Sequence, residues 1–199
     1  MPENAKKGLF TAEIAKSLQT SKYGVTIERM FVLGIDPGLT RCGFGAAMRN
    51  IGAAAPYQAI RAGVIETPPS DPIERRLGGL ADDFESLLDE VQPDVVAVEK
   101  IFFQTNVKTA ISVAQASGVV LAATARRGIS VVQFTPNEVK QAVVGHGAAT
   151  KEQVQMMVAR LCGLPEAPKP PDVADALAVA ICFLTSHRLS QAISAVGTS

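Results

Sequence analysis

Cysteine and histidine are scarce in this chain: Cys42, Cys162 and Cys182, with His146 and His187, are all it has in 199 residues. No two cysteines fall in a CxxC spacing and their number is odd, which fits reduced thiols in a cytosolic protein better than a disulfide framework or a zinc site. All three read as small buried hydrophobes. Net charge is lacking too, since 19 basic residues balance 19 acidic ones. Nothing global therefore advertises a nucleic-acid partner, and any such binding must rest on local patches. The apolar runs are too short or too interrupted to span a bilayer, and the N-terminus shows no long apolar core ahead of a small-residue cleavage site. Neither export nor a membrane partner is expected, and the expected location is cytoplasmic. Internal repeats and low-complexity tracts are absent as well.

What is there is an ordinary globular composition, 47% hydrophobic and 19% charged, enough for one good core and a single domain. Residues 1–29 carry five basic and three acidic residues, which leaves 14 basic against 16 acidic from Met30 onward. Met30 directly precedes the first strong strand and offers an alternative start. Residues 1–29 are read as an N-terminal extension, disordered or artefactual, residues 30–190 as the domain, and 191–199 as a C-terminal tail. A small acidic excess in the domain is natural if several carboxylates are held for a metal.

Phe31 to Asp36, Gly43 to Arg49 and Gln58 to Ile65 read as three consecutive strands joined by glycine- and alanine-rich turns. Pro72 opens a helix to about Val91, with Ile73, Leu77, Leu80, Phe84, Leu87 and Leu88 on one face. PDVVAVEK, residues 93–100, is a short continuous apolar strand, the pattern of a strand buried on both faces. A helix from about Thr105 to Arg127, a strand from Ile129 to Phe134 and a helix after Thr135-Pro136 follow. Thr150 to Gln153 form a capping box for a further helix that stops near Leu164-Pro165. The last helix opens in PPDVADALAVA. A meander of strands followed by alternating strands and helices implies an α/β fold with a mixed five-stranded sheet flanked by helices.

Four carboxylates stand out against this frame. FVLGIDPGLT drives Asp36 to the end of an apolar strand and breaks the strand at once with Pro37-Gly38. Glu99 closes the apolar strand VVAV, where a charge must be desolvated unless something positive meets it, and these stretches offer no evident arginine partner. Asp172 and Asp175 open the final helix three residues apart, on one face. Asp172 alone reads equally as an N-cap, and Asp175 as a first-turn acid that suits the helix dipole. As a set, the four suit divalent cations, and oxygen ligands with few neutral donors favour magnesium or manganese over zinc.

GIDPGLTRCGFG, VAVEKIFF, AQASGV, VKQAVVG and DVADALAVAI occur in the order found in RuvC-type Holliday junction resolvases, and nearly all of residues 31–187 resembles that family. The resemblance implies an RNase H-like fold for the nuclease domain. It implies that Asp36, Glu99, Asp172 and Asp175 are catalytic ligands of two Mg²⁺ ions per site, with Mn²⁺ able to substitute. It further implies an endodeoxyribonuclease that resolves four-way DNA junctions by paired symmetric nicks in recombination and repair. The strand then ends at Asp36 to project a carboxylate into the metal site, and Gly38 keeps the next turn small.

Lys140 and Lys151 match basic positions of the family that contact DNA or aid the chemistry; otherwise they read as solvated surface lysines. A Phe pair usually packs in a core, but the resemblance puts Phe102 where resolvases present an aromatic to an unstacked base, leaving Phe103 to pack. His146 reads as a surface-loop residue. The Ala-, Ser- and Gly-rich helix from 105 to 127 is either wholly buried or at a subunit interface, and by resemblance it joins a homodimer. The RuvA and RuvB branch-migration proteins are the partners the family implies. Two other readings remain at this level: a YqgF-type RNA-processing or nucleic-acid-binding protein, and an actin-like ATPase fragment, whose D-x-G-x-T loop Asp36 to Thr40 also satisfies.

Overall fold

The computed structural model describes residues 19–20, 26–27, 30–100 and 107–196. Two two-residue strands, β1 (Gln19–Thr20) and β2 (Thr26–Ile27), pair antiparallel ahead of the main sheet. That sheet has the five strands expected: β3 (Phe31–Asp36), β4 (Arg41–Arg49), β5 (Tyr57–Glu66), β6 (Val95–Glu99) and β7 (Ser130–Phe134), in the order β5-β4-β3-β6-β7. β3 pairs antiparallel with β4 and parallel with β6, so the meander and the crossover strands share one central strand.

Strand alternation splits the core into two layers. Phe31, Leu33 and Ile35, with Val96 and Val98, pack against α1 (Ile73–Val91) and α2 (Val107–Arg126). Val32, Val95 and Ala97 face α3 (Pro136–Val144), α4 (Lys151–Cys162) and α5 (Pro171–Val196). β6 is thus buried on both faces, as its unbroken apolar run predicts. Thr135 and Thr150 each close a capping box, with Glu138 and Gln153 respectively.

Three expectations shift. Ile73 is 45% exposed, because the first turn of α1 overhangs the sheet and the buried face begins at Leu77 and Leu80. β4 starts at Arg41 rather than Gly43, and α5 runs on through Val196, past the residue-190 boundary. All three cysteines are buried, and desolvation pushes each thiol up to about 12. Among the described residues, no helix is long and apolar enough to cross a membrane.

α5 lies unusually close to the sheet, and glycines make the room. A Cβ on Gly34 of β3 would stand 2.1 Å from the Ala176 carbonyl oxygen, and one on Gly43 of β4 would stand 2.3 Å from that of Asp172. Real Cβ atoms never approach so near, so both positions must be bare for the first turns of α5 to rest on β3 and β4.

Candidate active site

Asp36 and Glu99 end neighbouring parallel strands, one step beyond the Ile35–Val98 pair. Since Ile35 and Val98 face α1 and α2, the two carboxylates emerge on the opposite side, toward α5. A side-chain hydrogen bond links them. Gly38 is bare for the reason anticipated: a Cβ there would meet the Arg41 carbonyl oxygen at 2.2 Å. The turn it tightens is also held from outside. Arg76 of α1 donates to Thr40 Oγ1 at 2.7 Å and to Thr67 Oγ1 at 3.0 Å, while the Thr67 hydroxyl donates to the Leu39 carbonyl.

Asp172 and Asp175 come down from the first turns of α5. Asp172 Oδ2 is 3.1 Å from a terminal nitrogen of Arg41, and Asp175 Oδ2 is 2.7 Å from Lys151 Nζ at the start of α4. The missing arginine partner therefore exists, but it meets Asp172 and not Glu99. Beside this array a cavity of about 220 Å³ is lined by Glu99, Lys140, Lys151 and Asp175, with Val139 and Val154 behind.

The electrostatics are those of an overcrowded acidic cluster. Burial, then the charges of Glu99 and Asp175, hold the Asp36 carboxyl well above the usual carboxylate range. Glu99 is raised by burial and by Asp175, and Asp175 is raised by burial despite its bond to Lys151. That bond in turn raises the Lys151 ammonium. Such a set stores negative charge without enough positive charge to match, and its hard oxygen donors fit a divalent cation. As placed, no group of three or more acid, histidine or cysteine side chains among the described residues closes into a ready ligand set. Asp172 and Asp175 instead each pair one carboxylate oxygen with a cation, Arg41 and Lys151 respectively.

Lys140 and Lys151 both reach this cavity, and the structure brings them beside the acids where β3 and β6 end under the start of α5. Phe102 and Phe103 lie outside the described residues. His146 is exposed on the loop after α3. Arg41, Arg76, Gly34 and Gly43 were not singled out from the sequence. Arg41 sits two residues before Gly43 on the same face of β4, so a strand begun at Arg41 would have pointed its side chain toward α5.

A mixed five-stranded sheet that gathers carboxylates from β3, β6 and the opening of its last helix defines an RNase H-like nuclease domain. Residues 32–183 match the family model for Crossover junction endodeoxyribonuclease RuvC, and the chain belongs to the RuvC family. A relative of that name from Leifsonia xyli subsp. xyli is 49% identical over 168 residues, covering 84% of this chain and 78% of the relative. Another, from Parafrankia sp., is 50% identical over 155 residues, covering 78% and 86%. The solved Thermus thermophilus RuvC in complex with Holliday junction substrate superposes with a TM-score of 0.74 at 38% identity, covering 81% of this chain and 96% of that one.

Proposed function

We propose that this chain is the structure-selective endonuclease that resolves four-way DNA junctions by paired, symmetric nicks in recombination and repair. Membership of the RuvC family carries this reading, and the crowding of Asp36, Glu99, Asp172 and Asp175 where β3 and β6 end under α5 supports it. These four residues would hold two Mg²⁺ ions, with Mn²⁺ as a substitute. Such ions would supply a lowered pKa for an attacking water and charge stabilisation for the leaving 3′ oxygen, the chemistry of a hydrolysis that leaves 5′-phosphate and 3′-hydroxyl ends.

The chain's own residues do the rest. Asp36 and Glu99 are fixed by adjacent strands and so supply a rigid half of the ligand set. Asp172 and Asp175 complete it from the helix. Lys140 and Lys151 place positive charge at the cavity where a phosphate would sit, and Phe102 offers a face to an unstacked base. A homodimer joined through α2 presents two such sites to a junction of two-fold symmetry. α2 is neither wholly buried nor wholly polar: Ala116, Val120 and Ala123 pack inward, while Ile111 is 53% exposed. RuvA and RuvB are the partners the resemblance implies, and the working location is the cytoplasm.

The test uses a synthetic four-way junction and a matched linear duplex. Paired nicks confined to the junction are expected in Mg²⁺ or Mn²⁺. Ca²⁺, whose longer and looser coordination misplaces the water, should allow binding with little cutting. Equal cutting of the linear duplex would defeat the junction reading, and full activity in chelator would defeat the metal reading. The family assignment leaves no observation in favour of an ATPase or an RNA-processing role.

A further inference from the structure

We propose that Arg41 is an exchangeable counter-ion: it neutralises Asp172 while the metal site is empty, and turns to a phosphate of the junction once a divalent cation takes that carboxylate. This rests on the reading of Asp172 as a metal ligand. Three observations carry it. Arg41 opens β4 on the α5 side of the sheet, opposite Glu66 and two residues from the glycine that lies under Asp172. Its guanidinium reaches Asp172 Oδ2 at 3.1 Å through one terminal nitrogen and Glu66 only at 3.9 Å, so the rest of its donor fork is not committed to either. Its side chain is 40% exposed, against 27% for Asp172, which places it at the rim of the acidic array. On the ligand reading, the carboxylate it pairs with is one that a metal also uses.

A guanidinium and a divalent cation compete for the same lone pairs, and the competition is a linkage. Whatever free energy Arg41 gains from Asp172 opposes the metal, and the metal releases Arg41 in return. A released Arg at the rim has the planar fork that suits a phosphate. Metal binding and substrate binding would thereby be coupled through one side chain, independently of any ion touching the DNA.

The test measures two bindings on the whole protein. Mn²⁺ binding to the protein alone is followed by titration calorimetry for the wild type, Arg41→Gln, Arg41→Lys and Asp172→Asn. Arg41→Gln is expected to bind Mn²⁺ about 2- to 5-fold tighter, the scale of one half-exposed ion pair, and Asp172→Asn more weakly. Junction binding is then measured against salt, in Ca²⁺ and in chelator. In Ca²⁺, Arg41→Gln should weaken binding and reduce the slope of log K against log salt by about one, the signature of one lost phosphate contact. In chelator it should change neither. Arg41→Lys keeps the charge and should retain most of the salt slope.

Equal weakening in both conditions would make Arg41 a fixed phosphate contact, and no weakening in either would make it a surface pair; each result overturns the exchange. Weaker Mn²⁺ binding by Arg41→Gln overturns it as well. If Asp172→Asn leaves Mn²⁺ binding untouched, the ligand assignment itself has failed, a result distinct from a silent Arg41→Gln beside a defective Asp172→Asn.

Discussion

Three of the four site acids, Asp36, Glu99 and Asp175, have carboxyls raised first by burial and then by a neighbouring acid, which for Asp175 is Asp172. A raised folded-state value means that the fold opposes the charge, so the stability present at low pH is lost as pH rises through these groups. Asp36→Asn should therefore raise the melting temperature in chelator at neutral pH, while cleavage falls by more than the roughly 10- to 100-fold that loss of an outer-shell partner costs a metal site. Thermal melts and junction cleavage, run on the same preparation, check both halves. Normal cutting by Asp36→Asn would remove Asp36 from the ligand set. Phe102 separates two roles by opposite outcomes. Truncation of a core phenylalanine costs about 3 to 5 kcal/mol of stability. A stacked wedge is worth roughly 1 to 3 kcal/mol per base, so Phe102→Ala should melt like the wild type and cut about 5- to 150-fold more slowly, with Phe103→Ala as the destabilised comparison. A Phe102→Ala protein that melts early and cuts normally would make it a core residue.

At the scale of elements, the seating of α5 on bare backbone sets the distance between its two aspartates and the strand acids. Gly43→Ala would force a Cβ against the Asp172 carbonyl. The expected cost is about 1 to 3 kcal/mol in stability. A loss of cleavage beyond the loss of folded protein, on the order of 100-fold, is expected as well, because displacing reacting groups by about 1 Å is that expensive. Gel-based cleavage at a temperature where the variant is fully folded distinguishes the two effects. The strand acids were legible because a charge ending an apolar run conflicts with its surroundings, and so were the caps of α4 and the two-sided burial of β6. Arg41 was not, because the strand edge at residues 41 and 42 follows a turn whose length depends on Arg76 and Thr67, which are distant in sequence. The glycines of β3 and β4 looked like ordinary turn and strand glycines, since only the approach of a helix more than 120 residues later gives them their purpose. Ile73 failed for the converse reason, as periodicity marks a face but not where the sheet beneath it stops.

Across the whole molecule, formal charge is zero, so junction binding is expected to rest on a few local cations and to weaken with salt in proportion to their number. If the chain works as the proposed homodimer, pairing of the two nicks depends on that dimer. Ile111→Glu places a charge on the exposed side of α2 and should shift sedimentation from dimer to monomer, after which singly nicked junctions accumulate in place of resolved duplexes. A variant that stays dimeric and still cuts in pairs would move the interface off this helix. The array of four acids also spans the chain, from Asp36 in the first strand of the main sheet to Asp175 in the helix that closes the domain. A ribosome makes the strand acids long before it makes α5, so a nascent chain carries only part of the proposed ligand set. On the proposed ligand assignment, a DNA-cutting centre comes into being only when the last helix of the domain is in place.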